Sequence, residues 1–106
     1  YICEHDLLEL YYQKDFDSFN AFKKVKFLVI DEVGKRELAS WQLIQLEELI
    51  TYRHNEMLPT IYITNMNLVQ FKDFLGDRVI DRLKGNSIVT ATMTGDSFRG
   101  KEIGSI

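Results

Sequence analysis

The sequence predicts an α/β fold in which helices pack against a parallel sheet. Apolar, β-branched runs alternate along the chain with stretches of helical periodicity, and this alternation is typical of parallel strands joined by right-handed crossovers. The clearest strand is the unbroken apolar run at 27–30, which is typical of a strand buried in such a sheet. The clearest helix spans 40–54, where apolar residues recur at steps of three and four. One compact domain is the natural expectation for 106 residues.

The N-terminal part predicts a strand end followed by a helix. Residues 1–3 resemble the end of a strand, and Asp6 is placed to cap a helix over residues 7–12. The following segment has no clear periodicity, so we expect a looser stretch there. Its three phenylalanines recur at a spacing of three and predict an aromatic cluster: Phe16, Phe19 and Phe22.

The central helix has a single apolar face made of Ala39, Leu43, Leu46, Leu49 and Ile50. Trp41 lies off this face, so it packs either against a neighbouring loop or against a partner subunit. Pro59 then precedes a β-branched strand at 60–64, and helical stretches follow at 68–75 and 79–83. The last predicted strand covers residues 87–92.

Composition excludes several classes of protein. Apolar residues make up 45% of the chain and charged residues 27%, which is ordinary for a soluble globular domain. No apolar run is long enough to span a membrane. Cys3 is the only cysteine, which excludes an intrachain disulfide and favours a reducing, cytoplasmic location. A net charge of −3 argues against a basic nucleic-acid footprint over the whole surface.

Two acidic residues follow the 27–30 strand directly. Asp31 and Glu32 therefore lie at the carboxyl end of a buried strand, where ligands bind in open α/β sheets. An apolar strand ending in Asp-Glu is the Walker B motif of P-loop ATPases, in which the acids serve Mg²⁺ and the attacking water. The alternative is an ordinary strand end with a polar turn closed by Val33 and Gly34.

Two further groups of polar residues are candidates for a functional site, one after the 60–64 strand and one on the last predicted helix. Asn65 comes directly after the 60–64 strand, where its amide can bind a water or a phosphate oxygen; alternatively, Asn65 to Asn67 simply cap the next helix. Arg78 and Arg82 share one helix face beside Asp77 and Asp81. They form either a solvated ladder of ion pairs or an arginine site for phosphates on another subunit.

These motifs, in this order, resemble the C-terminal part of the AAA+ ATPase core of DnaC/DnaI-type replicative helicase loaders, and also the IstB-type transposition helpers. The resemblance covers nearly the whole chain. Residues 27–34 match the Walker B strand, and residues 58–65 match the segment that ends in sensor 1. Residues 76–83 match the family's GxRVxDRL box, and residues 96–99 match its terminal DS(Y/F)R.

The resemblance implies a role for each matching residue. Asp31 would hold Mg²⁺, Glu32 would be the catalytic base, and Asn65 would be the sensor 1 residue. Arg82 would be an arginine finger acting on the ATP of a neighbouring subunit. Arg99 would be the sensor 2 arginine that contacts its own subunit's nucleotide. Arg78 shares the face of Arg82 and is assigned to the interface or to structural support.

One departure from the family is large. The glycine-rich Walker A motif is absent, and its backbone and lysine supply most phosphate contacts. We therefore expect residues 1–106 to be the Walker B to sensor 2 portion of one AAA+ domain without a lid domain, and to be inactive alone. In the family the Walker A strand lies between the strand of Asn65 and the last strand. We accordingly expect an incomplete three-layer αβα sheet that is unstable without that strand.

The resemblance also implies a function for the complete protein. It would be a cytoplasmic ATPase of the primosome that uses ATP and Mg²⁺ at subunit interfaces. Its partners would be the hexameric replicative helicase, single-stranded DNA and copies of itself, with no membrane. No stripe of basic and aromatic residues identifies the DNA contact in this chain. The alternatives are an IstB-like transposition helper and a non-hydrolysing scaffold of AAA+ shape.

Overall fold

The computed structural model describes residues 1–83, 89–93 and 102–105 and confirms the predicted α/β class. The strands are β1 (Ile2–Cys3), β2 (Leu28–Val33), β3 (Thr60–Thr64), β4 (Val89–Met93) and β5 (Glu102–Ser105). The helices are α1 (Glu4–Tyr12), α2 (Phe16–Lys24), α3 (Ser40–Asn55), α4 (Leu68–Leu75) and α5 (Asp77–Leu83). The strands form one sheet in sequential order; β1 to β4 run parallel, and β5 is antiparallel to β4.

The first two helices differ from the prediction. α1 begins at Glu4 directly after β1, so Asp6 lies inside the first turn and the predicted Asp6 cap is wrong. The segment predicted to be loose is helix α2, whose first turn is capped by the Asp15 carboxylate accepting from the Ser18 N–H at 3.3 Å. The spacing of three between its phenylalanines places them on one helical side. Phe19 is buried there and meets Tyr11 of α1 edge-on at 5.3 Å between ring centres.

The far edge of the sheet also differs from the prediction. β3 pairs directly with β4 over five residues, from Thr60 opposite Val89 to Thr64 opposite Met93. The two strands that the family's Walker A strand separates are therefore direct neighbours in this chain. Direct pairing satisfies the backbone N–H and C=O groups that a gap would leave open. β5 was not predicted, because residues 102–105 contain little apolar periodicity.

The core lies between the sheet and the helices. It combines Leu28, Ile30 and Tyr62 of the sheet with Leu46, Leu49 and Ile50 of α3. These three belong to the predicted apolar face of α3, whereas Leu43 is only half-buried and Ala39 is exposed at the N-cap. Trp41 stacks on Tyr11 and Tyr12 of α1 at 6.0 and 5.9 Å, so its partner is a helix. No helix within the described part of the chain is both long and apolar enough to cross a membrane.

Arg53 joins three elements from inside the core. The residue is fully buried, and its guanidinium donates to the carbonyls of Val25 at 2.6 Å, Lys23 at 3.0 Å and Pro59 at 2.9 Å. Its Nε also donates to Thr60 Oγ1 at 2.7 Å. These bonds satisfy carbonyls at the end of α2 and ahead of β3. They therefore set the position of α3 relative to the strand that carries Asn65 at its end.

Candidate functional site

The structure brings the acidic pair and the sensor-like asparagine together. Asp31 and Glu32 at the end of β2, and Asn65 immediately after β3, all line one cavity of about 220 Å³. β2 and β3 are parallel neighbours, so their carboxyl ends meet at the same edge of the sheet. The cavity therefore lies where the sequence predicted a ligand crevice.

β2 is irregular where the acids occur. Its pairing with β3 shifts register between Ile30 and Val33, and Glu32 adopts a left-handed backbone conformation with a φ of 56°. Such a conformation is uncommon for a residue other than glycine; Lys14 and Met57 also adopt it, in turns away from the cavity. Asp31 Oδ1 accepts the Glu32 N–H at 2.7 Å, which stabilises this bend.

Two side chains that the motifs did not indicate bind the acidic pair. The Tyr1 hydroxyl donates to Asp31 Oδ2, and this hydrogen bond raises the pKa of Tyr1. Lys35 Nζ donates to Glu32 Oε2 at 2.5 Å, in an ion pair that is open to solvent. Tyr1 reaches Asp31 only because β1 and β2 are neighbours, which no local pattern predicts.

The turn after β3 separates the two alternatives for Asn65 and Asn67. Asn67 is the cap of α4: its Oδ1 accepts the Gln70 N–H at 2.8 Å, and Gln70 Oε1 accepts the Asn67 N–H at 2.9 Å. Asn65 is not part of this capping box and lines the cavity instead. Thr64 ties the two strand ends together, since its Oγ1 donates to the Val33 carbonyl at 2.7 Å.

Gly34 is favoured by the backbone conformation of the turn after β2. Its φ is 76°, in the left-handed region where residues with a Cβ are strained. A Cβ added there would also lie 2.3 Å from Met66 Cε, but this atom ends a flexible side chain that can move. The glycine therefore serves the backbone of the turn that follows the acidic pair.

Glu4 lies beneath this arrangement. The residue is only 2% exposed, and its Oε1 accepts the Gly34 N–H in a long hydrogen bond of 3.4 Å, while its Oε2 has no partner among the described residues. Burial raises the pKa of Glu4 to about 7, partly opposed by the Gly34 hydrogen bond. No local pattern singles out Glu4, because an acid in the first turn of a helix is common.

The arginines lie apart from the acidic pair. Arg78 and Arg82 line a second groove, of about 580 Å³, between α3 and α5. Arg78 Nη2 contacts Glu47 Oε2 of α3 at 2.7 Å, a partner that the predicted ladder within the helix did not include. Arg99 lies outside the described residues, so its predicted role stays a prediction.

The acidic site suits a magnesium ion that arrives with a nucleotide. Asp31 offers one carboxylate at the cavity, and the described residues contain no cluster of three or more acidic, histidine or cysteine ligands. Mg²⁺ in nucleotide sites is held by one or two carboxylates together with phosphate oxygens and water, and not by a protein cage. The residues present fit that mode of binding, with Asp31 as the protein ligand.

The fold and this site together define an α/β protein that is compatible with part of a P-loop NTPase core. Comparison with known proteins confirms the more particular resemblance to DnaC-type helicase loaders. The chain is 28% identical over 85 residues to the replicative helicase loader DnaC of Escherichia coli K12, covering 80% of this chain and 35% of that protein. It is 28% identical over 82 residues to DnaC of Buchnera aphidicola subsp. Baizongia pistaciae, covering 77% and 33%.

A third relative is the uncharacterized protein YdaV of Escherichia coli K12, 31% identical over 77 residues, which cover 72% of this chain and 31% of YdaV. No family model matches the chain. The chain spans about a third of the length of the curated relatives it matches. The match falls in the C-terminal part of DnaC.

Proposed function

We propose that this chain is the Walker B to sensor portion of an ATPase that loads a replicative DNA helicase. The observation that carries the proposal is the shared cavity of Asp31, Glu32 and Asn65 at the carboxyl edge of parallel strands. The name of the DnaC relatives, replicative helicase loader, supports the biological role. The reaction would be the hydrolysis of ATP to ADP and phosphate.

Each residue of the cavity has a task in this reaction. Asp31 would hold the magnesium of the bound nucleotide, and the ion would supply positive charge that neutralises the phosphates. Glu32 would accept a proton from the attacking water as general base. The Asn65 amide would orient that water or a phosphate oxygen without adding negative charge. The Lys35 ion pair restrains the Glu32 carboxylate, so Lys35 would have to yield when the water is bound.

The arginines complete the proposal at the contact between copies of the protein. Arg82 is exposed on α5 and lines a groove that is separate from the acidic cavity. A guanidinium in that position is suited to the nucleotide of a neighbouring copy, where it would stabilise charge in the transition state. The phosphate-binding loop and Arg99 would complete the site. We therefore expect no hydrolysis from residues 1–106 alone.

The partners follow from the same proposal. They are the hexameric replicative helicase, single-stranded DNA and further copies of this protein, in the cytoplasm. A transposition helper would use the same cavity and the same chemistry. A scaffold without hydrolysis would leave Asp31 and Glu32 without a catalytic task, so the measurement of hydrolysis separates it from both ATPases.

The experiment compares two glutamate variants in a polypeptide that carries this chain together with a Walker A motif. Glu32→Gln removes the general base but keeps the Mg²⁺ ligand and the side-chain volume, so ATP hydrolysis should fall by at least about 100-fold. ATP affinity, measured by titration, should stay near that of the parent. Glu37→Gln is the matched control, because Glu37 is exposed in the same loop and does not line the cavity. Hydrolysis at the parental rate in Glu32→Gln would remove Glu32 from the mechanism.

A further inference from the structure

The short helix α5 carries both arginines that face the second groove. α5 spans only Asp77–Leu83, and a helix of two turns is not stable without tertiary contacts. Its buried residues Val79 and Ile80 join the hydrophobic core and hold one side of the helix. These two residues hold α5 against the core. They restrict its rotation about the helix axis less strictly, because apolar packing has no preferred direction.

The ion pair between Arg78 and Glu47 supplies a directional contact across the groove. Arg78 Nη2 lies 2.7 Å from Glu47 Oε2, at hydrogen-bond distance. The Glu47 side chain is 16% exposed and that of Arg78 is 69% exposed. The carboxylate is thus largely shielded by α3 and its neighbours, and its attraction is less screened than in a fully exposed pair.

The two arginines consequently have different surroundings although they share one helix face. Arg78 is engaged with Glu47, whereas Arg82, one turn further along, is exposed and has no ion pair with the described residues. An arginine already bound to a carboxylate on its own chain is poorly placed to contact a phosphate elsewhere. Arg82 has no such competing carboxylate within residues 1–83, 89–93 and 102–105.

We propose that Glu47 is a positioning residue that binds Arg78, fixes the rotation of α5 on α3 and thereby orients Arg82. Arg78 acts within its own chain, as the partner of Glu47, and not as a second interface arginine. We call this ion pair of Glu47 and Arg78 the clamp. The proposal rests on the proposed function, in which Arg82 acts on the nucleotide of a neighbouring copy. It adds a residue, Glu47, that lies 15 positions from the acidic pair and outside every motif.

The test combines hydrolysis with hydrogen exchange, in the Walker A-containing polypeptide described above. The variants are Glu47→Gln, Arg78→Ala and the charge swap Glu47→Arg with Arg78→Glu. Each single variant should lower kcat on the order of tenfold, through misplacement of Arg82, with ATP affinity unchanged. Combining Glu47→Gln with Arg78→Ala should cost no more than either alone, because both remove one contact. The swap should recover most of the lost rate.

Hydrogen exchange reports the clamp without any catalysis. The amides of α5 should exchange about threefold to tenfold faster in each single variant and recover in the swap. Glu48→Gln is the matched control, since Glu48 is exposed beside Glu47 and lines the same groove. It should change neither kcat nor exchange.

Three outcomes would overturn the proposal. Unchanged α5 exchange in Glu47→Gln would mean that no clamp exists in solution. Full hydrolysis in Glu47→Gln with none in Arg78→Ala would place Arg78 itself at the neighbouring nucleotide. The third is hydrolysis that Glu32→Gln does not affect: the proposed function then fails and the orientation role fails with it. Because this last result is read from Glu32 alone, the two failures remain distinct.

Discussion

The Glu4 carboxyl lies against the turn that follows β2, with only 2% of the residue exposed. One of its oxygens accepts the Gly34 N–H and the other has no partner in the described part of the chain, so burial acts on it with little compensation. Burial favours the neutral form and raises the pKa to about 7, from 4.5 for a free glutamate. Glu4 therefore couples the protonation of one side chain to the stability of the turn beside the acidic pair.

The direction of the pH dependence follows from these two pKa values. Below pH 4.5 the carboxyl is protonated in both the folded and unfolded chain, so its contribution to stability is fully present. As the pH rises from 4.5 to about 7, the unfolded chain releases the proton while the folded chain retains it, and the free energy of unfolding falls. Above about pH 7 the loss is complete, at about 3 kcal/mol or less.

We expect Glu4→Gln to remove this pH dependence, because glutamine is neutral throughout. Relative to the parent, the variant should gain stability progressively between pH 5 and 7 and hold that gain at pH 8. Urea unfolding at pH 5, 6, 7 and 8 measures the difference. Glu37→Gln, at an exposed position, is the control and should follow the parent. A constant difference between Glu4→Gln and the parent across this range would show that the carboxyl does not titrate there.

At the scale of single elements, α3 is the longest helix and begins without a side-chain cap. Its N-cap residue is Ala39, with φ of −66° and ψ of 161°, the extended conformation that capping residues adopt. Gln42 Oε1 accepts the Ala39 N–H at 2.8 Å, which is half of a capping box. Alanine has no oxygen to complete the other half.

We expect Ala39→Thr to stabilise the protein by about 0.5–1 kcal/mol, because the hydroxyl can accept a free N–H of the first turn. Ala39→Val is the matched control: valine has the same shape without the hydroxyl and should give no gain. Thermal unfolding of the two variants side by side measures the effect. Equal melting temperatures for threonine and valine would show that the first turn already has its hydrogen bonds.

At the scale of the whole molecule, the direct pairing of β3 with β4 determines the shape of the sheet. Neighbouring strands lie about 4.8 Å apart, whereas an intervening strand would roughly double that distance. The paired register gives the backbone of β4 a partner on this side, and β5 pairs with its other side. The instability expected without the Walker A strand stays a prediction.

A disulfide cross-link tests this pairing in the 106-residue chain. Ile63 and Thr92 are opposite each other in the register, so cysteines at both positions, with Cys3→Ser, should form a disulfide under mild oxidation. The control pair places cysteines at Ile61 and Thr92, which are two residues out of register and about 8 Å apart. It should cross-link far more slowly. Equal rates, or no cross-link in the first pair, would contradict direct pairing.

Local sequence patterns were enough to predict the clearest elements and the convergence of the acidic pair on Asn65. β2 and α3 follow from an apolar run and a helical stripe, which require no knowledge of distant residues. The meeting of Asp31, Glu32 and Asn65 follows because parallel strands present their carboxyl ends at one edge. α2 does not follow from the local pattern, because three phenylalanines at a spacing of three also fit an aromatic cluster in a loose segment.

The distant side chains that support the site depend on how the whole chain packs. Glu4 meets Gly34, Tyr1 meets Asp31, and Arg78 meets Glu47, each pair about 30 residues apart in the chain. Such contacts depend on which strands become neighbours and on how each helix is rotated, and these are set by the packing of the whole core. A local pattern shows which conformation one segment prefers. The partner of a buried carboxyl or a guanidinium depends instead on where all the other elements lie.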